Sequence, residues 1–183
     1  GKEMKFPRAT GESSLSNSFI GNTKQICLVT RDIQRTMAGL VKVGIGPWRV
    51  YTFGPETCSD ITYHGKPSEH SMRLALAHSG DMMWEVIQPV EGASIYTEFL
   101  EDHGEGIHHI AANCDGLSYS EQVEKMLELG YQVIQSGVWA ERVPFAYFGT
   151  EGDLSTTIEL FDIPEDFVMP EPEEWFPEAP PAE

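Results

Sequence analysis

The stretch GEGIHHIAAN, residues 104–113, sets two adjacent histidines, His108 and His109, inside a short apolar run. Neighbouring side chains of an extended strand point to opposite faces, so only one of the two can face inward. Strand parity alone leaves open which of the two it is. Downstream the spacing turns helical at Val123, Met126 and Leu127, with Ser118 or Ser120 as the cap and Gly130 as the stop.

A similar unit lies upstream. KQICLVTRDI reads as an apolar strand, and Met37, Leu40 and Val41 then recur at helical spacing before a Gly-rich stop. Three strand-like runs follow each unit: WRVYTF, SMRLALAH and MMWEVIQPV in the first half, YQVIQSGVWA, PFAYFGT and STTIELFDI in the second. The turns SGD and EGD precede the last strand of each half, and GPETCSDITYHGKPSEH reads as a loop insertion in the first. Between the halves, GASIYTEFLEDHGEG predicts a short connecting helix with Ile95, Phe99 and Leu100 on its apolar side.

The order strand-helix-strand-strand-strand thus occurs twice. A unit that cannot bury one sheet face alone pairs with its copy, so the predicted class is α+β. Two paired βαβββ modules form a curved, incomplete barrel around a common cleft. Residues 1–22 are read as an N-terminal extension, 23–92 as module one, 93–104 as the connecting helix and 105–165 as module two. Residues 166–183 form a Pro/Glu-rich tail in which Phe167, Trp175 and Phe176 argue that some part packs.

Composition narrows the partners. Twelve basic residues against 29 acidic ones give a formal charge of −17, which repels a phosphate backbone, so no nucleic-acid partner is expected. There is no apolar run of membrane-spanning length and no leader-like segment, and the expectation is a soluble, cytoplasmic chain with no membrane partner. Cys27, Cys58 and Cys114 fit neither a disulfide framework nor a cysteine zinc site and are read as reduced thiols. GIGPW follows a helix instead of opening one, which argues against a phosphate loop.

Equivalent positions of the halves carry the polar candidates. Gln25 opens the first unit as His109 opens the second, and Glu85 lies in the last strand of the first half as Glu159 lies in that of the second. An imidazole, two carboxylates and an amide oxygen suit a divalent metal ion such as zinc, cobalt, nickel, manganese or iron, with positions left open for water or substrate. Glu85 is flanked at i±2 by Met83 and Ile87, and Glu159 by Thr157 and Phe161, which places each on an apolar-leaning face.

With EVIQPV, YTEFLEDHGEGIHHIA and TTIELFD in that order, the body from 23 to 165 resembles the vicinal-oxygen-chelate superfamily of glyoxalases, methylmalonyl-CoA epimerases, extradiol dioxygenases and bleomycin-resistance proteins. The nearest resemblance is to the epimerase-like branch. It implies His109, Glu85 and Glu159 as metal ligands, with Gln25 standing where epimerases usually carry histidine; glyoxalases of similar pattern use Gln, Glu, His and Glu. No counterpart of the glyoxalases' basic glutathione-binding residues is evident. Near the place of the epimerases' additional catalytic carboxylate, SEHSMRLAL offers Glu69, His70 and Arg73 instead.

The resemblance implies a metal-dependent lyase or isomerase acting on a small oxygenated substrate through proton abstraction and a metal-stabilised enediolate. Glu159 is the first candidate for the base and Glu85 the second, with His70, Tyr51 or Tyr147 as candidates to return the proton. Tyr51, Trp139 and Tyr147 are candidates to line the substrate pocket, as is Trp48, and Arg73 either clamps an anionic substrate or pairs with a surface glutamate. The rivals are a metal-free ligand-binding protein and an iron-dependent dioxygenase. A homodimer is expected, because sheet edges tend to be covered.

Overall fold

The computed structural model describes residues 22–113 and 116–182. The expected N-terminal extension, apart from Asn22, and Cys114 lie outside the described residues. Module one contains β1 (Asn22–Val29), α1 (Ile33–Lys42), β2 (Trp48–Phe53), β5 (Ser71–Ser79) and β6 (Met82–Glu91), with β3 (Cys58–Tyr63) and β4 (Lys66–Pro67) between β2 and β5. After the connecting helix α2 (Ile95–Asp102), module two contains β7 (Gly106–Asn113), α3 (Tyr119–Glu128), β8 (Val133–Trp139), β9 (Val143–Phe148), the one-turn helix α4 (Glu151–Leu154) and β10 (Thr157–Phe161). The tail adds β11 (Glu174–Phe176).

Local chemistry starts each helix where the chain needs it. Asp32 accepts from the Arg35 N–H at the start of α1, Ser94 and Thr97 form a reciprocal capping box on α2, and Ser118, not Ser120, caps α3. The inward stripes then bury Ile33 and Met37 of α1 and Met126 of α3. Each helix covers the outer face of its own module: α1 lies on Trp48, Val50, Ala75 and Val86, and α3 on Ala112, Phe148, Ile158 and Leu160. The opposite, concave face joins both modules in a third cluster that includes Tyr51, Leu74, Leu76, Trp139, Tyr147 and, from α2, Ile95 and Tyr96.

All strands belong to one mixed sheet of order β11-β2-β5-β6-β1-β7-β10-β9-β8-β3-β4. The two modules are its halves, joined by antiparallel pairing of β1 with β7, while β1 runs parallel to β6 and β7 parallel to β10. The sheet curves strongly and does not close into a barrel.

Two readings of the sequence change here. GPETCSDITYHGKPSEH is not merely a loop insertion: β3 leaves β2 at one edge of the sheet and pairs with β8 at the other. Its polar residues and the left-handed Asp60 (φ 52°) hide it from an alternation pattern. EGD, read as a turn, is the start of α4.

The tail is also integrated. β11 pairs antiparallel with β2, Tyr51 Oη donates to the Pro170 carbonyl (2.8 Å), and Phe167 packs edge-on against Trp139. β11 and the β3–β4 hairpin thus extend the sheet beyond β2 and β8 within the chain, leaving the short strands β11 and β4 as its free edges.

Arg73 lies on the outer face of β5 and pairs with Glu173 (2.5 Å) and Glu174 (3.7 Å), while Glu173 also accepts from the Thr52 N–H. This pair anchors the tail. Arg73→Ala is predicted to raise hydrogen-exchange rates of the 173–176 amides several-fold while changing global stability by under about 1 kcal/mol. Exchange mass spectrometry checks this, and unaltered protection would show that backbone pairing with β2 suffices.

Candidate metal centre

Strand parity sends Gln25 and Cys27 of β1 to the concave face, and the register decides what meets them. Cys27 stands beside Glu85 of β6 on one side and His109 of β7 on the other, and His109 in turn stands beside Thr157 of β10. In the neighbouring row Gln25 stands beside Met83 and Ala111, Ala111 beside Glu159, and Glu159 beside Tyr147. The pseudo-twofold between modules thus sets Gln25 against His109 and Glu85 against Glu159.

The side chains converge. His109 Nε2 lies 3.3 Å from Glu85 Oε1 and 3.4 Å from Glu159 Oε1, with the histidine wholly buried and both glutamates nearly so. Neither contact is aligned as a hydrogen bond, and Nε2 has no hydrogen-bond partner. The Gln25 amide has two orientations. In one, its nitrogen donates to Met83 Sδ (3.1 Å) and its oxygen faces only acceptors; in the other, its nitrogen donates to Glu159 Oε1 (3.1 Å) and Glu85 Oε1 (3.3 Å).

In the first orientation four lone-pair-bearing atoms face a common space, an arrangement that needs a proton or a cation to offset repulsion in a dry site. A divalent ion satisfies all four, and the set of one nitrogen and three oxygens matches zinc, cobalt, nickel, manganese or iron chemistry. Cys27 adds a sulfur: its Sγ and donor atoms of Glu85 and His109 all lie within 4.8 Å of one another.

Supporting groups fix this cluster. His108 is the extra residue at the register shift between the Cys27–His109 and Leu28–Ile107 pairs, buried against Tyr96 and Phe99, and its Nδ1 lies 2.8 Å from His109 Nδ1. Burial, then the charge of His109, pull the His108 pKa down to about 2, so His108 is neutral and accepts the Nδ1 proton of His109. That bond turns Nε2 toward the carboxylates. On the far side Tyr96 Oη donates to Tyr147 Oη (2.7 Å), and Tyr147 stands beside Glu159 in the β9–β10 ladder.

Burial lowers the pKa of His109, but the Glu159 and Glu85 carboxylates outweigh it and raise the value to about 9. Burial raises Glu159 above the ordinary carboxyl range against the pull of His109. It also pushes the Cys27 thiol well up, helped by Glu85.

A cleft of about 500 Å³, its open mouth included, borders Gln25, Glu85 and Glu159 and is walled by side chains including Phe53, Leu74, Trp139 and Phe145. Trp139 lines this space as expected of a substrate-binding residue, and Tyr147 sits behind Glu159. Three expected site residues are placed elsewhere. Tyr51 spends its hydroxyl on Pro170, His70 is buried with Nδ1 2.8 Å from Ser68 Oγ, and Arg73 is on the outer face with Glu173. Trp48 is in the core under α1, donating to the Ile45 carbonyl. Sequence reasoning missed Cys27 and Tyr96. Cys27 follows Gln25 by two residues, so strand period alone puts both on one face; the reach of Tyr96 from α2 has no such signal.

Residues 24–147 match the Glyoxalase/Bleomycin resistance protein/Dioxygenase superfamily. The uncharacterized protein YqjC of Bacillus subtilis (strain 168) is 35% identical over 66 residues, 36% of this chain and 46% of that protein. The chain therefore matches about half the length of that relative. Among solved structures, methylmalonyl-CoA epimerase from Mycobacterium tuberculosis aligns with a TM-score of 0.61 at 13% identity, covering 81% of this chain and 92% of that one. The hypothetical protein BH1468 from Bacillus halodurans C-125 aligns at 0.57 and 20% identity, covering 81% and 98%. A Streptomyces coelicolor methylmalonyl-CoA epimerase in complex with 2-nitronate-propionyl-CoA aligns at 0.58 and 15%, covering 78% and 97%. At these identities the structural likenesses speak for the fold.

The metal-free protein carries a pH signature. The folded pKa of His109 is raised from 6.5 to about 9, so its stabilisation is full below pH 6.5 and is lost as pH rises through about 9. The shift of Glu159 has the same sign. The melting temperature in chelator is predicted to fall across this window, and His109→Gln to flatten the fall. A wild-type profile level from pH 6 to 9 would contradict the assignment.

Proposed function

Because the chain belongs to the glyoxalase/bleomycin resistance protein/dioxygenase superfamily, we propose that it is a divalent-metal-dependent isomerase or lyase that moves a proton on a carbon next to a carbonyl of a small substrate. The observation that carries this is the convergence of Gln25, Glu85, His109 and Glu159 at the floor of an open cleft. These residues would hold the metal. When bound, it would supply Lewis-acid polarisation of the substrate carbonyl, making the neighbouring carbon acid.

Glu159 is the base in this reading. Its raised pKa suits proton capture better than that of a solvated carboxylate, and Tyr147, held by Tyr96, flanks it in the ladder. Glu85, related to it by the pseudo-twofold, is placed to return a proton from the opposite wall, which suits an epimerisation or a proton shift between neighbouring carbons. The epimerases among the structural neighbours support a substrate of carbonyl type. Against the metal-free binding rival, neither glutamate is paired with an arginine among the described residues. Against the dioxygenase rival, among the described residues one histidine, His109, meets the two glutamates, whereas those enzymes use two histidines with one carboxylate.

The test uses metal content and solvent deuterium incorporation by a panel of α-oxo compounds and acyl thioesters. His109→Ala is expected to lose the metal. Glu159→Gln keeps an oxygen donor and is expected to retain metal while exchange falls about 10²-fold or more. Wild-type exchange by metal-loaded Glu159→Gln would remove Glu159 as the base, and wild-type protein purified without stoichiometric metal and unable to take it up would overturn the proposal.

A further inference from the structure

The walls of the cleft say more about the substrate than its floor does. Apart from Gln25, Glu85 and Glu159, its ten lining residues are all hydrocarbon, aromatic or thioether, and none is lysine or arginine. Every arginine of the described residues is engaged away from it: Arg31 on the Leu100 carbonyl, Arg35 on Glu105, Arg49 over Trp175, Arg73 on Glu173 and Arg142 on Asp166. Two carboxylates and one divalent ion sum to zero, so the floor offers no spare positive charge, and the chain as a whole carries −17. Any anionic group on a substrate would add net charge to an apolar cleft with no basic side chain among its described lining residues, which is costly.

The same walls favour a planar or branched apolar body. Trp139 is held rigidly, stacked on Phe53 at 4.9 Å and edge-on to Tyr51 at 5.5 Å. Phe145 lies over Gly137, where even a Cβ would come within 2.8 Å of its ring, so this glycine gives the phenyl ring its seat. The remaining side comes from residues beyond the family match: Ile163 and the half-buried Met169, on the segment tied down by the Tyr51–Pro170 and Arg73–Glu173 contacts.

We infer that the cleft takes an uncharged carbonyl compound with an aromatic or branched apolar body, and that Met169 of the C-terminal segment sets this preference. The inference rests on the reading of the floor as a metal-assisted carbonyl site. It predicts discrimination against the free carboxylates and phosphate-bearing thioesters that a basic pocket would collect. Burial of the body against Trp139 and Phe145 supplies affinity, while the charge-neutral floor and the lack of a basic side chain among the described lining residues supply selectivity.

Three probes separate these contributions: methyl benzoylformate, its free anion benzoylformate, and methyl pyruvate, which is uncharged but lacks the aromatic body. Calorimetric titration of the zinc-loaded full chain is expected to give methyl benzoylformate at least about tenfold tighter binding than either of the others. Met169→Lys is expected to cut the preference over benzoylformate to about threefold or less, by offering the anion a partner. Met169→Gln, polar but uncharged, controls for packing and is expected to weaken ester binding without tightening benzoylformate.

Benzoylformate binding as tightly as its ester in the wild type, or no measurable binding by any probe, overturns the inference. A Met169→Lys ratio equal to wild type overturns the role of Met169. The underlying reading fails separately: selective binding of the ester by protein whose metal content does not depend on His109 refutes the metal-assisted chemistry and leaves the selectivity standing.

Discussion

Everything in this molecule hangs on the antiparallel pairing of β1 with β7. That ladder welds the modules into one sheet and fixes which residues of the two strands are neighbours, so Cys27 stands opposite His109 and Gln25 opposite Ala111. The parallel partners β6 and β10 then bring Glu85 and Glu159 in from either side. A one-residue slip in this ladder would turn one strand's site residues to the helix-covered face. The pairing absorbs irregularities on both sides of the site, between Thr23 and Gln25 and between Cys27 and Leu28, while the rows that hold the polar side chains stay aligned.

The site holds its charges in a setting that water would otherwise screen. Two carboxylates and an imidazole are buried within one small volume, where His108 sets the tautomer of His109 and Tyr147 flanks Glu159. Low dielectric magnifies whatever charge a cation or proton brings there. An apolar wall beside such a floor is physically consistent with it, since solvent in the cleft would dilute the same interactions.

Much of this architecture is legible in the sequence because it is written in short periods. The duplicated strand-helix pattern reveals the modules, and strand alternation puts Glu85 and Glu159 on apolar faces. What escapes is written only in tertiary pairing. β3 has no clean alternation because its partner β8 is supplied by the other module, and β11 is three residues in a Pro/Glu-rich stretch that becomes a strand only against β2. Arg73 looks the same in sequence whether it meets a ligand or Glu173. Tyr51 and His70 are plausible by residue type, yet Pro170 and Ser68 already use their polar atoms.

The course of β3 has a bearing on how the chain reaches this state. Its sequence belongs to module one, but its ladder partner arrives more than 70 residues later, as in the Thr62–Ser136 side-chain bond at a separation of 74. Cutting the chain between the modules would therefore not yield two complete halves. The first would carry an orphaned hairpin and the second a bare β8, each an open template for association. Long-range closure of this kind raises contact order and makes folding a single late event in place of two early ones. Through β3 the two similar modules are mutually obligatory.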